Sequence, residues 1–339
     1  MRRSAVKQPS VREVAMRAGV GTSTVSRALN GHPNVSPRAR ERVLRAIEEL
    51  GYTPNLAARS FRTGQTNAAS VLIPMTGPEF YTRLLESIHA VLEREGYDTA
   101  LFPVVGGIRL KRYGDAGALP YHADGLIIAS LDPDRIYGGE RPPFNKPIVL
   151  VDTHHPEYHS VWFDNHAAGR MAAAHALQLG RPVVFVDVLD DPGAFESPVF
   201  HERRQAVLQE LGRHGIEPRR HVRVPISIED GRHAAANVRD QLSNGPVTVL
   251  ASCDDLALGV MRQLAENGIV IGRDVSVIGF DDGSAAAAND LTTIRQPVEA
   301  MGAAAAEVLV QALAGALDEI RRVSFPPELI ERGSTRRWE

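Results

Sequence analysis

The chain has 339 residues, 43% hydrophobic and 23% charged, an ordinary globular composition with enough length for two or three cores. Its single cysteine, Cys253, excludes an internal disulfide framework and a cysteine-rich zinc site, and fits a reducing compartment. No apolar run reaches bilayer-spanning length, and MRRSAVKQPS at the start lacks the apolar stretch of a secretory signal, so the cytoplasm is the expected location. The net charge of -3 conceals a split: residues 1–66 carry twelve Lys/Arg against four Asp/Glu, net +8, and the remainder is net -11. A basic head on an acidic body points to a polyanion partner for the head alone.

In chain order, Ser10 with Glu13 three residues later forms a capping-box signature that predicts a helix over 11–18, ending at Gly19. A second short helix fits 22–29. A third starts at Ser36-Pro37, with Ser as cap and Pro at the first helical position, and runs to Leu50; Val43, Leu44, Ile47 and Leu50 are its expected apolar face. Residues 51–67 read as a connector whose stretch 55–61 has helical composition but too little length to be stable alone. Beyond residue 67, apolar runs predict strands at 70–74, 125–129, 147–151, 182–186, 247–251 and 275–280. Helices are predicted at 81–95, 166–179, 202–214 and 255–267, and the alanine-rich 303–317 also reads as helix. Near-continuous Val/Ile/Leu strands separated by helices imply parallel sheets covered on both faces, and about 270 residues of this pattern predict two doubly wound lobes.

On a wheel of residues 22–29, Val25, Ala28 and Leu29 share one arc, while Thr22, Ser23, Ser26 and Arg27 lie opposite. Small polar residues with one arginine suit a helix entering a major groove, where Arg27 can reach both acceptors of a guanine edge; a routine surface helix has the same pattern. Strand-end polar residues mark the other expected site, because ligands of open α/β sheets bind beyond the carboxyl ends of the strands. Asp152 ends one strand, Asp281 follows another, and Cys253 and Asp254 follow a third. The histidines of HHPEYH (154, 155, 159) read as a solvated loop, since no fourth ligand of suitable spacing follows. Neither a GxSxG elbow nor a GxxxxGK[ST] phosphate loop occurs, and no cofactor or enzymatic activity is expected.

The segments TVSRALNG, VSPRARERV, ELGYTPN and AARS make residues 10–66 resemble the head and hinge of the lactose-repressor (LacI/GalR) family. The likeness continues more patchily through PEFYTRLLESI, PIVLVD, CDDLALGVMRQL, DVSVIGFDDG and LTTIRQPVEAMG. The resemblance implies a helix-turn-helix head at 1–50, a hinge at 51–67, and an effector-binding, dimerising body at 68–339 of periplasmic-binding-protein-like fold. The first lobe would span about 68–162 plus 295–323, and the second about 163–294 plus 324–339. It implies base contacts for Thr22, Ser23 and Arg27, and phosphate positioning for Ser10, Thr24, Ser26 and Asn30. Tyr52, Asn55, Ala58 and Phe61 would belong to a hinge helix that orders on DNA, with Phe61 where the family places a leucine wedge.

For the effector, the resemblance implies Phe80, Tyr81, Asp152 and Phe163 on the first lobe's side and Arg203 and Asp281 on the second's; Cys253 and Asp254 join them as strand-end residues. Cys253 and Ile226 depart from the usual polar amide and stacking aromatic, which predicts a less polar pocket. The expected partners are pseudo-palindromic double-stranded operator DNA, a carbohydrate-like or nucleoside effector and a second copy of the chain. The ending RGSTRRWE carries no leucine heptad, so a dimer is expected. A cytosolic small-molecule binder without DNA function is the competing reading.

Overall fold

The computed structural model describes residues 9–29, 32–52, 65–74, 78–104, 110, 112–115, 117–142, 144–189 and 197–336. Contacts divide the chain into two compact units, Met1–Thr66 and Asn67–Glu339.

The first unit contains three helices, α1 (Val11–Ala18), α2 (Thr22–Leu29) and α3 (Pro37–Leu50). The capping box forms as predicted: the Ser10 hydroxyl accepts from the Glu13 amide, and the Glu13 carboxylate accepts from the Ser10 amide at 2.6 Å. Gly19 ends α1 at φ 62°, a left-handed turn that glycine adopts without strain and that redirects the chain into α2. Small residues let the helices approach, and Val14, Ala18, Val25, Ala28, Val43 and Ala46 form the shared core. Leu44 is 53% exposed, so the expected face of α3 is corrected: Ala39, Val43, Ala46, Ile47 and Leu50 pack inward, and Leu44 lies about 100° around from Val43. Tyr52, expected in the hinge, packs against this same core.

The second unit holds two sheets. The first consists of β1 (Ala68–Pro74), β2 (Asp98–Val104), β3 (Gly125–Ala129), β4 (Ile148–Val151), β5 (His159–Phe163) and β11 (Arg322–Phe325), in the order β11-β5-β4-β3-β1-β2 and all parallel. The second consists of β6 (Val183–Val188), β7 (Arg220–Val224), β8 (Val247–Ala251), β9 (Val275–Asp281), β10 (Thr292–Arg295) and β12 (Glu328–Ile330). Its order is β12-β10-β9-β8-β6-β7, with only β12 antiparallel. Both sheets therefore repeat one doubly wound order and reverse direction at equivalent points, between β1 and β3 and between β6 and β8.

The helices that position the site are α4 (Pro78–Arg94), α5 (Pro133–Tyr137), α6 (Asn165–Gln178), α7 (Pro198–Arg213), α8 (Ile228–Gln241), α9 (Asp254–Glu266), α10 (Ser284–Ala288) and α11 (Val298–Leu313). The strands missed by periodicity are short or lie at sheet edges. RHVRV alternates charge with Val, and HSVWF begins on polar residues, so neither reads as a continuous apolar run. Strand pairing shows where the chain passes between the lobes. Phe163 and Phe325 are partners in the first sheet, and Arg295 pairs with Asp281 in the second. One apolar cluster runs through both lobes, joining Ile127, Val149 and Phe163 to Phe185, Ile278 and Ile294.

Helices α8 and α9 cross at Gly231 and Gly259, where a Cβ on Gly259 would fall 2.1 Å from the Ile228 carbonyl and 2.8 Å from Gly231 Cα. Backbone cannot yield there as a side-chain tip would. Gly259→Ala is expected to destabilise the body by about 1–3 kcal/mol through overpacking, read as a lowered melting temperature. An unchanged melting temperature would show that the two helices slide apart at no cost.

Candidate DNA-reading helix and effector cleft

In the head, the sequence places apolar residues every third or fourth position of α2, and burial follows: Val25 is fully buried and Ala28 nearly so. Thr22, Ser23 and Arg27 are exposed on the opposite side, and Thr24 and Ser26 are half-buried. The Arg27 carbonyl accepts from the His32 amide, and the His32 carbonyl accepts from Arg40, which ties the end of α2 to α3. Ser10 is occupied by the cap and also donates to Glu13 Oε2 at 2.8 Å. Asn30, Asn55, Ala58 and Phe61 lie outside the described residues.

In the body, the carboxyl ends of strands from both lobes face one small cavity. Phe80, Tyr81 and Asp152 line it from the first lobe. Arg203, Asp281 and Cys253 line it from the second, together with Ile226. Six of the eight expected effector residues are thus brought together. Two are not. Phe163 is fully buried, because on β5 it shares its face with Val161 and points into the core. Asp254 is used within its own lobe, accepting from Thr293 Oγ1 at 2.7 Å and from the Gly283 amide at 3.0 Å. Asp255, one residue later in the first turn of α9, lines the cavity instead.

The cavity wall also contains residues that strand-end reasoning missed: Ser197, Val199 and Phe200 around the start of α7, and Gln296 after β10. The Ser-Pro signal at 197–198, a cap followed by an N1 proline, would have started α7 a turn earlier and exposed the first group. Gln296 follows TTIR, a strand too short to be read.

Arg203 is 1% exposed and fully engaged on one side: Nε and Nη2 donate to Asn165 Oδ1 at 3.1 and 2.9 Å, and Nη1 donates to the Ser252 carbonyl at 2.5 Å. Its guanidinium lies 4.3 Å from the Phe280 ring centroid and 3.9 Å from Asp281 Oδ1. Gln296 Nε2 donates to that same Asp281 oxygen. Across the cleft, Ser130 Oγ donates to Asp152 Oδ2 at 2.5 Å, while Asp152 Oδ1 is buried without a partner among the described residues. Gln296 Oε1 is likewise buried and unpartnered. Ser130, Asp152 and Asp281 adopt φ of 52°, 62° and 112°, sparsely populated for residues with a Cβ. Such conformations cost about 1–3 kcal/mol each and collect at ligand sites.

Burial raises the Asp152 carboxyl to about 7, with Ser130 and Arg203 opposing, and raises Asp281 to about 6, with Arg203 and Gln296 opposing. Burial also pushes the Cys253 thiol up, so it is a small apolar wall element, not a nucleophile. The loop histidines go to separate partners, His154 to Glu202 at 3.4 Å, His155 to Asp134 at 3.5 Å and His159 to the Arg321 amide at 2.9 Å. No group of three metal-ligating side chains occurs among the described residues, and no helix among them is long and apolar enough to cross a membrane.

Comparison with known proteins follows the same division. Residues 10–55 match the family model for bacterial regulatory proteins of the lacI family, and residues 175–335 match that of the periplasmic binding protein-like domain. The HTH-type transcriptional regulator reg1 of Streptomyces lividans is 31% identical, over 95% of this chain and 95% of its own. The lac repressor dimer bound to operator and the anti-inducer ONPF superposes with a TM-score of 0.83 at 25% identity, over 97% of this chain and 100% of that one. A complex of the transcriptional regulator CelR with cellobiose gives 0.68 at 28% identity, over 96% and 100%.

An acid whose folded pKa is raised favours folding below its unfolded value, and that stability is lost as pH rises through the folded value. Asp152 therefore burdens the folded body between about pH 4 and pH 7 and above. Asp152→Asn is expected to raise the unliganded melting temperature at both pH values and by more at pH 8 than at pH 5, a difference of about 2–3 kcal/mol. Equal effects at both pH values would show that the carboxyl does not titrate in this range.

Proposed function

Because the chain belongs to the lacI family of bacterial regulatory proteins, we propose that it is a repressor whose affinity for a pseudo-palindromic operator is set by a carbohydrate-like effector in the interlobe cleft. The observation that carries the effector half is the pair of buried, unpartnered acceptors, Asp152 Oδ1 and Gln296 Oε1, on a wall that also presents Tyr81 and Phe200. Buried polar atoms are normally satisfied, and hydroxyl donors with an apolar ring face satisfy both kinds of surface. That a solved relative holds cellobiose supports the same class.

The operator half rests on the exposed Thr22, Ser23 and Arg27 of an otherwise core-packed helix. Arg27 reads a guanine edge; Thr24, Ser26, Ser10 and Asn30 set the helix on phosphates. A homodimer places two such helices on the half-sites of a palindrome. The segment with Asn55, Ala58 and Phe61 couples them to the body, and action on operator DNA supports a cytoplasmic location. Occupancy of the cleft alters how the lobes meet and hence hinge spacing, and the coupling is reciprocal.

Arg27→Ala is expected to weaken binding to a duplex selected from a random pool by about 1–3 kcal/mol and to relax preference at one base pair per half-site. Anisotropy titrations against point-substituted duplexes read this directly, and uniform weakening on every duplex would assign Arg27 to phosphate instead. A thermal-shift screen of sugars, sugar phosphates and nucleosides should yield a stabilising compound that also changes operator affinity. Stabilisation without any change in DNA binding would leave a binder without regulatory output.

A further inference from the structure

The cavity wall carries three carboxylates, Asp152, Asp255 and Asp281, against one cation, Arg203, among the described residues. That cation is already committed, to Asn165, to the Ser252 carbonyl and, at 3.9 Å, to Asp281. Asp255 has Glu79 across the cleft as a further like charge and Arg262, on its own helix, as an opposite one. Asp152 is 4% exposed, and its Oδ1 has no donor among the described residues. An anionic ligand would add charge of the same sign to this wall, and a neutral polyol would leave the excess uncompensated in a site of low dielectric. Phe80 and Tyr81, edge-to-face at 5.0 Å, and Phe200 add aromatic surface that attracts a cation as readily as it packs on a sugar ring.

We propose that the effector of this cleft is an amino-bearing polyol, such as an amino sugar, whose protonated amine is held by Asp152 and Asp255 while its hydroxyls meet Gln296 and the Arg203–Asp281 pair. This deepens the effector-site reading above and rests on it. The ammonium supplies the donors that the empty acceptors lack and offsets the surplus negative charge in one group.

The test uses the full chain and matched pairs: glucosamine with glucose, galactosamine with galactose, mannosamine with mannose, and an aminocyclitol with inositol, each with the corresponding sugar phosphate where one exists. Calorimetric titration at pH 7.5 should give at least one amino compound that binds about tenfold or more tighter than its neutral partner, with no binding of the phosphates. Asp255→Asn should cut that preference to within about threefold, and Asp152→Asn should do the same, with circular dichroism and DNA binding confirming that each variant is folded. A neutral sugar that equals or exceeds its amine overturns the ammonium assignment and leaves the effector site standing. Preference for a phosphate, or silence of every pair, overturns it as well, and silence joined to a failure of the broad screen removes the effector reading too.

Discussion

A fully buried guanidinium organises the second lobe. Arg203 has almost no contact with solvent, and a buried cation is tolerated only where hydrogen bonds and opposite charge replace its hydration. Those replacements come from three separate places in the second lobe: Asn165 at the start of α6, the Ser252 carbonyl just past β8, and Asp281 at the end of β9. The ring of Phe280 lies against the same group. Satisfying one charge thus fixes the relative positions of a crossover helix and two strand ends, and those strand ends form half of the cleft wall. A second step reaches deeper, since Ser252 Oγ donates to the fully buried Asp187, which also accepts from Arg204 and His221.

The first lobe answers with less. Beside Phe80 and Tyr81 it contributes Asp152, turned left-handed at the end of β4 and held by Ser130 at the end of β3, with one oxygen left over. Between the lobes, beside the apolar cluster that runs through both, the described residues place Ser197 Oγ on the Ser130 carbonyl at 3.4 Å, His154 near Glu202, and the Ser284 amide on Glu79 at 2.6 Å. A preformed wall facing a poorly satisfied one is an arrangement that a ligand can rebalance. The proposed coupling to the operator needs no more than this asymmetry and a hinge that responds to it.

Much of this was legible in the sequence, for identifiable reasons. The head was read almost residue by residue, because caps and 3.6-residue periodicity are local: Ser10 with Glu13, Ser36-Pro37 and the glycines at 19 and 51 all act where they stand. Leu44 was misassigned because four apolar residues crowd one stretch, and only packing decides which turns outward. The buried strands were visible as apolar runs, and edge strands were not, since half their residues face solvent. In the cleft, Asp152, Asp281 and Arg203 followed from strand ends and resemblance. Phe163 and Asp254 failed because orientation at a strand or helix end is set by the neighbours that claim the side chain: a core for one, Thr293 and the Gly283 amide for the other. Position along the chain does not carry that information.

The central claim is that the Arg203-centred wall transmits cleft occupancy to DNA affinity. It is tested most directly by measuring operator affinity with and without the most stabilising cleft ligand, in the wild-type chain and in Arg203→Lys, which keeps the charge but not the planar fork. The account predicts a change of about 5–150-fold in the wild type, and an unliganded Arg203→Lys protein that binds operator normally yet shows no response to the ligand. An Arg203→Lys protein that remains folded and responds as the wild type does would contradict it.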